Sequence, residues 1–468
     1  MMPDLTELDR VLDGQVMPSG SPAFRELRRP FNALFDDVEP QAVVRCASEG
    51  DIAETIAFIR RRGLRSATRG GGHDLAGRST TPGILIDVSP MRSVTVADGT
   101  IRIGAGAVLG EVYEATIPHG VTIPGGSCPS VGISGLTLGG GLGILGRTYG
   151  VTSDRLVGAR IVLADGRAVD CDEDHEAELF WALRGAGNGH FGVVTELVFD
   201  PVSIPASTAS FRLEWRFADA PAVAAAWMEW SPAAPDTASA SLLVTGTSDP
   251  ADEPSVEVVG TLLGSRSDAA TLLDAFTIRV GTDPSSTFLE EMSYADAMGW
   301  WAARAGERIE DPRAAPARRA IHLIRSGFFA RPLPAEAIAS LFERLTQGRV
   351  EGQSRELDLS PWGGAYIRVA ADRTAFVHRD AAFWIKHAAS VDADAGSEAV
   401  SLARSWVEGS WSEVHPWSTG GVFPNFADPE LDDWGHAYHG SNFEELCRIK
   451  ARYDPDDVFR FRQSLPLG

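Results

Sequence analysis

Arg69-Gly70-Gly71-Gly72-His73-Asp74, followed later by Gly125-Gly126-Ser127-Cys128, decides how this chain is read. Each is a glycine run that ends on one nucleophilic side chain. Glycine reaches φ > 0 and lets main chain approach a flat or anionic ligand, at a cost in conformational entropy. A chain accepts that cost where a ligand must touch backbone. Successive free N–H groups ahead of His73 make a nest that suits a pyrophosphate. The plain alternatives are a turn histidine bonded to main chain and a small buried cysteine. Cys128 sits in a loop between Gly126-Ser127 and Pro129, and three glycines precede His73, so both read as ligand-facing groups. An imidazole at one edge of a bound ring and a sulfur at another could each bond to it.

Outward from these runs the chain alternates short strands and helices. Residues 1–40 read as peripheral as far as Pro30-Phe-Asn-Ala-Leu34. Ala42–Cys46 is a strand, Ser48-Glu-Gly-Asp51 a helix entry, and Ile52–Arg62 carries helical apolar spacing. Leu64–Thr68 is a strand that delivers the chain into the first glycine run. Ile84–Val88 and Ile101–Ile103 are further strands, and Val108–Ile117 a short helix. Arg160–Ala164, with Asp165-Gly166, makes a hairpin into Ala168–Asp170. A helix over Glu178–Leu183 leads into the third glycine loop, Arg184–Gly192, and the β-branched strand Val193–Phe199.

Beyond Pro201 glycine thins and tryptophans appear. Phe211–Phe217, Ser241–Gly246, Pro254–Leu263, His322–Phe329 and Tyr366–Val369 are strand candidates, with Ala222–Trp230 helical. This is a second α+β domain with an antiparallel sheet. The expected division is 1–205, then 206–414, then a return to the first domain over 415–468, where Phe443–Ala451 is the last helix.

Composition bounds the function. At 468 residues the chain suggests two domains, and 44% hydrophobic with 23% charged residues is ordinary for a globular protein. A net charge of −22 disfavours nucleic acid and anionic membrane as partners. A phosphate-bearing ligand must then be held by local N–H groups. The start Met1–Arg10 lacks a signal-peptide pattern, and no apolar run is long enough to span a membrane. None of Cys46, Cys128, Cys171 and Cys447 has metal-site spacing, so no metal is expected. The expectation is a cytoplasmic monomer or homodimer acting on a small molecule.

One tempting motif fails on context. Gly141-Leu-Gly143-Ile-Leu-Gly146 fits G-x-G-x-x-G, and Asp165 follows at a dinucleotide-binding distance. That fingerprint needs a strand before it and an amphipathic helix opening inside it. Arg147–Asp154 has no helical period, so a nicotinamide-binding βαβ unit is rejected.

Together Arg69–Asp74, Pro124–Gly143, Asp165-Gly166, Arg184–Thr195 and Arg452–Phe459 resemble the vanillyl-alcohol-oxidase-type flavoproteins, and within them the berberine-bridge-enzyme-like branch. The resemblance implies an α+β fold: a two-lobed PCMH-type FAD-binding domain roofed by an α+β substrate domain. It implies FAD attached twice, with His73 matching the histidine bonded to the flavin 8α methyl and Cys128 the cysteine bonded to C6. It assigns cofactor contacts to Arg69, Gly70, Gly71, Gly72 and Asp74, and to Gly132, Ser134, Gly135 and Leu138. Gly139, Gly140, Gly141, Gly143, Gly192, Val193 and Asn425 join them. Val131 matches a position where small residues leave room for dioxygen, which favours oxidase over dehydrogenase.

One departure concerns the base. The family it resembles often carries Tyr-x-Asn-Tyr in the returning segment, its first Tyr serving as base, whereas this chain has Phe423-Pro-Asn-Phe426. Phe423 accepts no proton, and Asn425 is kept, expected both to contact the flavin and to belong to the catalytic set. Replacement candidates are Tyr366 first, then His378 and His322; His436 and His439 read as surface residues. Trp300, Trp301, Tyr366 and Trp384 suit a large aromatic or glycosylated substrate. The expected reaction is oxidation of an alcohol or activated C–H with dioxygen as acceptor and hydrogen peroxide as product. An oligosaccharide oxidase and a flavin dehydrogenase are the alternatives.

Overall fold

The computed structural model describes residues 5–313 and 319–468, so the first four residues of the Met1–Arg10 start lie outside it. Three large sheets organise the described residues, beside a two-stranded pairing of Val121–Thr122 with Val202–Ser203. A four-stranded sheet runs in the order Gln15–Pro18, Ala42–Arg45, Ile84–Asp87, Ser66–Arg69, the last two pairings parallel. Parallel strands need a crossover, and Glu49–Arg62 supplies it between Ala42–Arg45 and Ser66–Arg69, which flank Ile84–Asp87. That helix starts where Ser48 Oγ accepts from Asp51 N (3.2 Å) and stops at Gly63, left-handed at φ 61°. Its buried Ile52, Thr55, Ile56 and Ile59 recur at helical spacing and pack on the sheet.

The second sheet is antiparallel, ordered Val94–Ala97, Thr100–Gly104, Gly192–Phe199, Leu156–Leu163, Ala168–Cys171. The Asp165-Gly166 turn joins its last two strands as expected, with Gly166 at φ 87°. One core cluster joins both sheets, from Ile56 and Ile86 to Ile103, Val162 and Leu197. Residues 1–40 are less peripheral than their composition suggests. Gln15–Pro18 edges the first sheet, and the carbonyls of Leu27, Arg28 and Arg29 hold Arg69.

The third sheet has seven strands, all antiparallel, in the order Ser286–Met292, Thr208–Trp215, Ser255–Leu262, Ala238–Gly246, Ser354–Pro361, Phe383–Asp392, Ala320–Phe329. Side chains alternate between its faces. Leu242, Leu357, Leu359 and Ile385 bury one face against the helices Ala220–Ala233, Ala335–Thr346 and Ser397–Val414 through Trp227, Leu341 and Trp406. Each such side chain contributes about 1.5–3 kcal/mol on burial. Ser241, Asp358 and Ser360 point from the other face toward the first two sheets. The strand expected at Tyr366–Val369 is instead a 3-10 turn, Gly364–Ile367. Gly363 (φ 92°) and Gly364 (φ 58°) turn the chain left-handed there and prevent extension.

The chain then returns to the first two sheets. Helix Phe443–Tyr453 packs Leu446 and Ile449 into their core. The fully buried Lys450 ammonium donates to the carbonyls of His190 (3.0 Å) and Phe459 (2.7 Å) and pairs with Asp454. Among the described residues no helix is long and apolar enough to cross a membrane.

Candidate active site

Between the first two sheets and the seven-stranded roof lies a cavity of about 580 Å³. Its floor is made of glycine loops. The chain leaves Ser66–Arg69 through Gly70, Gly71 and Gly72, and meets the loop Ser127–Gly132 head on. A Cβ on Gly71 would collide with the main chain of Gly132, and one on Gly132 with that of Gly71. Only glycine permits this approach. Gly72 takes φ 76°, and among the described residues the N–H groups from Gly70 to Asp74 find no protein acceptor. Asn188 Oδ1 and Ser79 Oγ, both buried and both on the cavity, also lack partners. Buried polar atoms are rarely left unpaired. A flat ligand bearing anionic groups matches these vacant donors and acceptors, so the residues fit FAD.

His73 and Cys128 both line this cavity. The His73 ring stacks on Phe31 (4.2 Å, 19°), whose other face meets His322 (5.1 Å, 6°), and its Nε2 lies 2.9 Å from Ser130 Oγ. Burial pulls the His73 pKa down to about 4, and the neighbouring His322 adds to this, so the imidazole is neutral at pH 7. Burial pushes the Cys128 thiol up to about 12, with Glu307 adding and Lys386 opposing. A neutral thiol, and no ready thiolate, therefore stands at this position.

The remaining expected cofactor residues divide in two. Gly70, Gly71, Gly72, Asp74 and Val131 line the cavity, as do Gly132, Ser134, Gly135, Leu138, Gly143, Gly192 and Asn425. Asn425 Nδ2 donates to Leu136 O (2.9 Å), which braces the Ile133–Leu138 helix against the returning chain. Arg69, Gly139, Gly140, Gly141 and Val193 lie behind that surface. Buried Arg69 must satisfy its charge, and it does so on the carbonyls of Ser79, Leu27, Arg29 and Arg28. Side chains at Gly139, Gly140 and Gly141 would strike Asn425, Phe376 and Thr152, so close packing requires those glycines. Val193 pairs with Val162 inside the sheet, and strand alternation gives the cavity to Gly192 and Val194.

Of the expected catalytic candidates, Tyr366 faces the cavity. Its hydroxyl donates to Gly143 O (3.2 Å), its ring stacks on Trp362 (4.3 Å, 14°), and burial raises its pKa. Arg379, paired with Asp154 inside the protein, grips Tyr366 O (3.1 Å) and fixes this turn. His378 is 6% exposed and turned away from the cavity, its Nε2 on Tyr438 O (3.1 Å) and its ring on Phe328. His322 reaches the cavity, but its Nδ1 bonds Ser390 Oγ (2.9 Å). His439, expected at the surface, is 2% exposed beside Trp434 and Phe443, whereas His436 is exposed. Trp301 and Trp384 line the cavity; Trp300 instead stacks on Phe288.

The roof adds a carboxylate that sequence reasoning missed. Asp358 enters the cavity from Ser354–Pro361, opposite Lys386 on Phe383–Asp392. Its Oδ1 accepts from Ser360 Oγ (2.8 Å), and its Oδ2 lies 3.1 Å from Lys386 Nζ, which also pairs with Glu356 (2.9 Å). Burial works against the Lys386 ammonium, but Glu356 and Asp358 outweigh it and raise its pKa. The strand's alternation, Ser354-x-Glu356-x-Asp358-x-Ser360, was the available signal.

Known proteins share this arrangement. Residues 40–172 match the family described as "FAD binding domain", and residues 422–466 the one described as "Berberine and berberine like". The FAD-linked oxidoreductase YgaK of Bacillus subtilis (strain 168) is 30% identical, with 97% of each chain covered. BBE-like 1 of Physcomitrella patens superposes with a TM-score of 0.90 over 100% of both chains at 24% identity. A chitooligosaccharide oxidase does so with a TM-score of 0.87 at 25% identity, over 99% of this chain and 98% of that one. The glycine floor, the seven-stranded roof and the returning C-terminal segment thus carry one conclusion: this chain is an FAD-linked oxidoreductase and belongs to the berberine-bridge-enzyme-like family.

Proposed function

We propose that this enzyme is an oxidase that holds its FAD through both His73 and Cys128. It acts on an alcohol or activated C–H of a natural-product-like or glycosylated substrate, reduces dioxygen and releases hydrogen peroxide. The observation that carries this reading is the convergence of His73 and Cys128 on one cavity, at the ends of two loops pressed together at Gly71 and Gly132. FAD, when bound, supplies the two-electron acceptor for a substrate hydride and passes those electrons to dioxygen.

The chain's own residues bind, orient and deprotonate. Trp301 and Trp384 offer apolar faces to the substrate, while Ser239, Ser241 and Ser360 offer hydroxyls, a combination that suits a sugar or phenolic glycoside. Asp358 is the proton acceptor. Tyr366 keeps its proton on Gly143 O, Phe423 has none to exchange, and His378 faces away. Asp74 and Glu307 brace the floor loops by accepting main-chain N–H groups, from Ala76 and Arg78 and from Ser130, whereas Asp358 enters from the roof and accepts from side chains. Lys386 and Ser360 hold the Asp358 carboxylate in place, and Lys386 offsets the charge it would otherwise bury alone. Val131 leaves space for dioxygen in this reading.

Intact-mass measurement of denatured protein tests the attachment. Wild type should carry one flavin mass, His73→Ala and Cys128→Ala each should still carry it, and the double variant should carry none. Flavin mass absent from wild type, or retained by the double variant, removes the bicovalent reading. Peroxide release across a panel of chitooligosaccharides and aryl glycosides tests the oxidase reading.

A further inference from the structure

Ser130 lies two residues past Cys128, yet its hydroxyl sits on the other attachment residue, 2.9 Å from His73 Nε2. Its own N–H is tied to Glu307 Oε2 (3.0 Å), so the loop that presents the hydroxyl is fixed at that residue. Phe31 clamps the flat face of the His73 ring, and Phe31 is anchored by its N–H on Gly72 O (3.0 Å). The imidazole is thereby held in plane and in rotation. Its other nitrogen, Nδ1, bonds to no group among the described residues and belongs to the cavity wall.

A neutral imidazole carries one proton, and the nitrogen without it is the nucleophile. If Ser130 Oγ donated to Nε2, the proton would sit on Nδ1 and no lone pair would face the cavity. If Ser130 Oγ accepts, Nδ1 presents its lone pair to the ligand. We propose that Ser130 is a positioning residue that accepts from Nε2–H and so sets the tautomer in which His73 bonds the flavin methyl through Nδ1.

The step balances. A C–N bond forms at Nδ1, one methyl C–H bond breaks, and the Nε2 proton leaves through Ser130 Oγ to solvent. The two protons and two electrons released reduce one dioxygen to hydrogen peroxide. This inference rests on His73 being an attachment residue, as proposed above.

The test uses the Cys128→Ala background, in which His73 is the sole link, and replaces Ser130 by Thr or by the near-isosteric Val, which lacks the hydroxyl. The readouts are the flavin mass on denatured protein and the time course of its appearance with added FAD. Acid-released flavin reports non-covalent binding. S130T should attach flavin at about the parent rate, whereas S130V should hold acid-releasable FAD and attach it roughly 10²-fold more slowly. Equal attachment rates in S130T and S130V overturn the proposal. Absence of flavin mass from the C128A parent itself instead overturns His73 as the attachment point.

Discussion

The floor and the roof of the cavity are built by opposite means. The floor presents main chain: glycines that tolerate φ > 0 or a backbone pressed against backbone, and N–H groups left without protein acceptors. The roof presents side chains, and which of them face the ligand is settled by strand register between distant segments, as where Asp358 meets Lys386. A main-chain floor suits a ligand of fixed shape, since backbone geometry is hard to vary. A side-chain roof can change its chemistry one residue at a time without disturbing the sheet beneath.

Substituting Gly71 by Ala strikes the floor where it has no room. The new methyl meets Gly132 main chain, which has no rotamer to move, so overpacking should cost about 3 kcal/mol or more and abolish FAD retention. Flavin absorbance of purified G71A, with its melting temperature, is the measurement. A G71A enzyme that keeps its flavin would break the contrast.

On the roof, Asp358→Asn should leave flavin content intact and lower turnover by roughly 10²-fold or more. Peroxide release with any substrate the wild type oxidises reports this. Loss of flavin without loss of turnover per flavin would move Asp358 out of the chemistry.

His387 sharpens the comparison from the roof's buried side. Burial lowers its pKa from 6.5 to about 3, so below pH 6.5 the unfolded chain takes the proton first. Its contribution is therefore present above pH 6.5 and is lost progressively as pH falls toward 3. His387→Gln should remove up to about 1.4 kcal/mol per pH unit of this slope, measurable by urea unfolding at pH 7 and pH 5. The smallest effect is expected for Trp301→Phe, which keeps an aromatic face but loses the indole N–H bond to Thr261 Oγ1 (2.9 Å). About 1 kcal/mol of stability should go, with a modest rise in KM.

The same contrast explains what could be read without a structure. Glycine is demanded by the floor's geometry, so the floor is written in the chain as glycine runs, and His73 and Cys128 stood out at their ends. The roof leaves no such mark. Ser354–Pro361 and Phe383–Asp392 carry ordinary alternating residues, and only their pairing brings Asp358, Lys386 and Glu356 together. Tyr366–Val369 has strand-like residues, but two left-handed glycines ahead of it impose a turn. His439 looked exposed because its cover, Trp434 and Phe443, comes from the folding back of the C-terminal segment. Arg69 and Gly139–Gly141 belong to the motifs and yet serve the packing behind the floor, a distinction local sequence does not make.

The returning segment has a consequence for how the enzyme is made. Phe423, Asn425, Phe459 and Phe461 all wall the cavity, and Lys450 ties their segment to the His190 carbonyl. A growing chain therefore lacks a finished cavity until the segment through Phe461 has been added. A chain cut anywhere before Phe459 leaves that cavity without part of its wall.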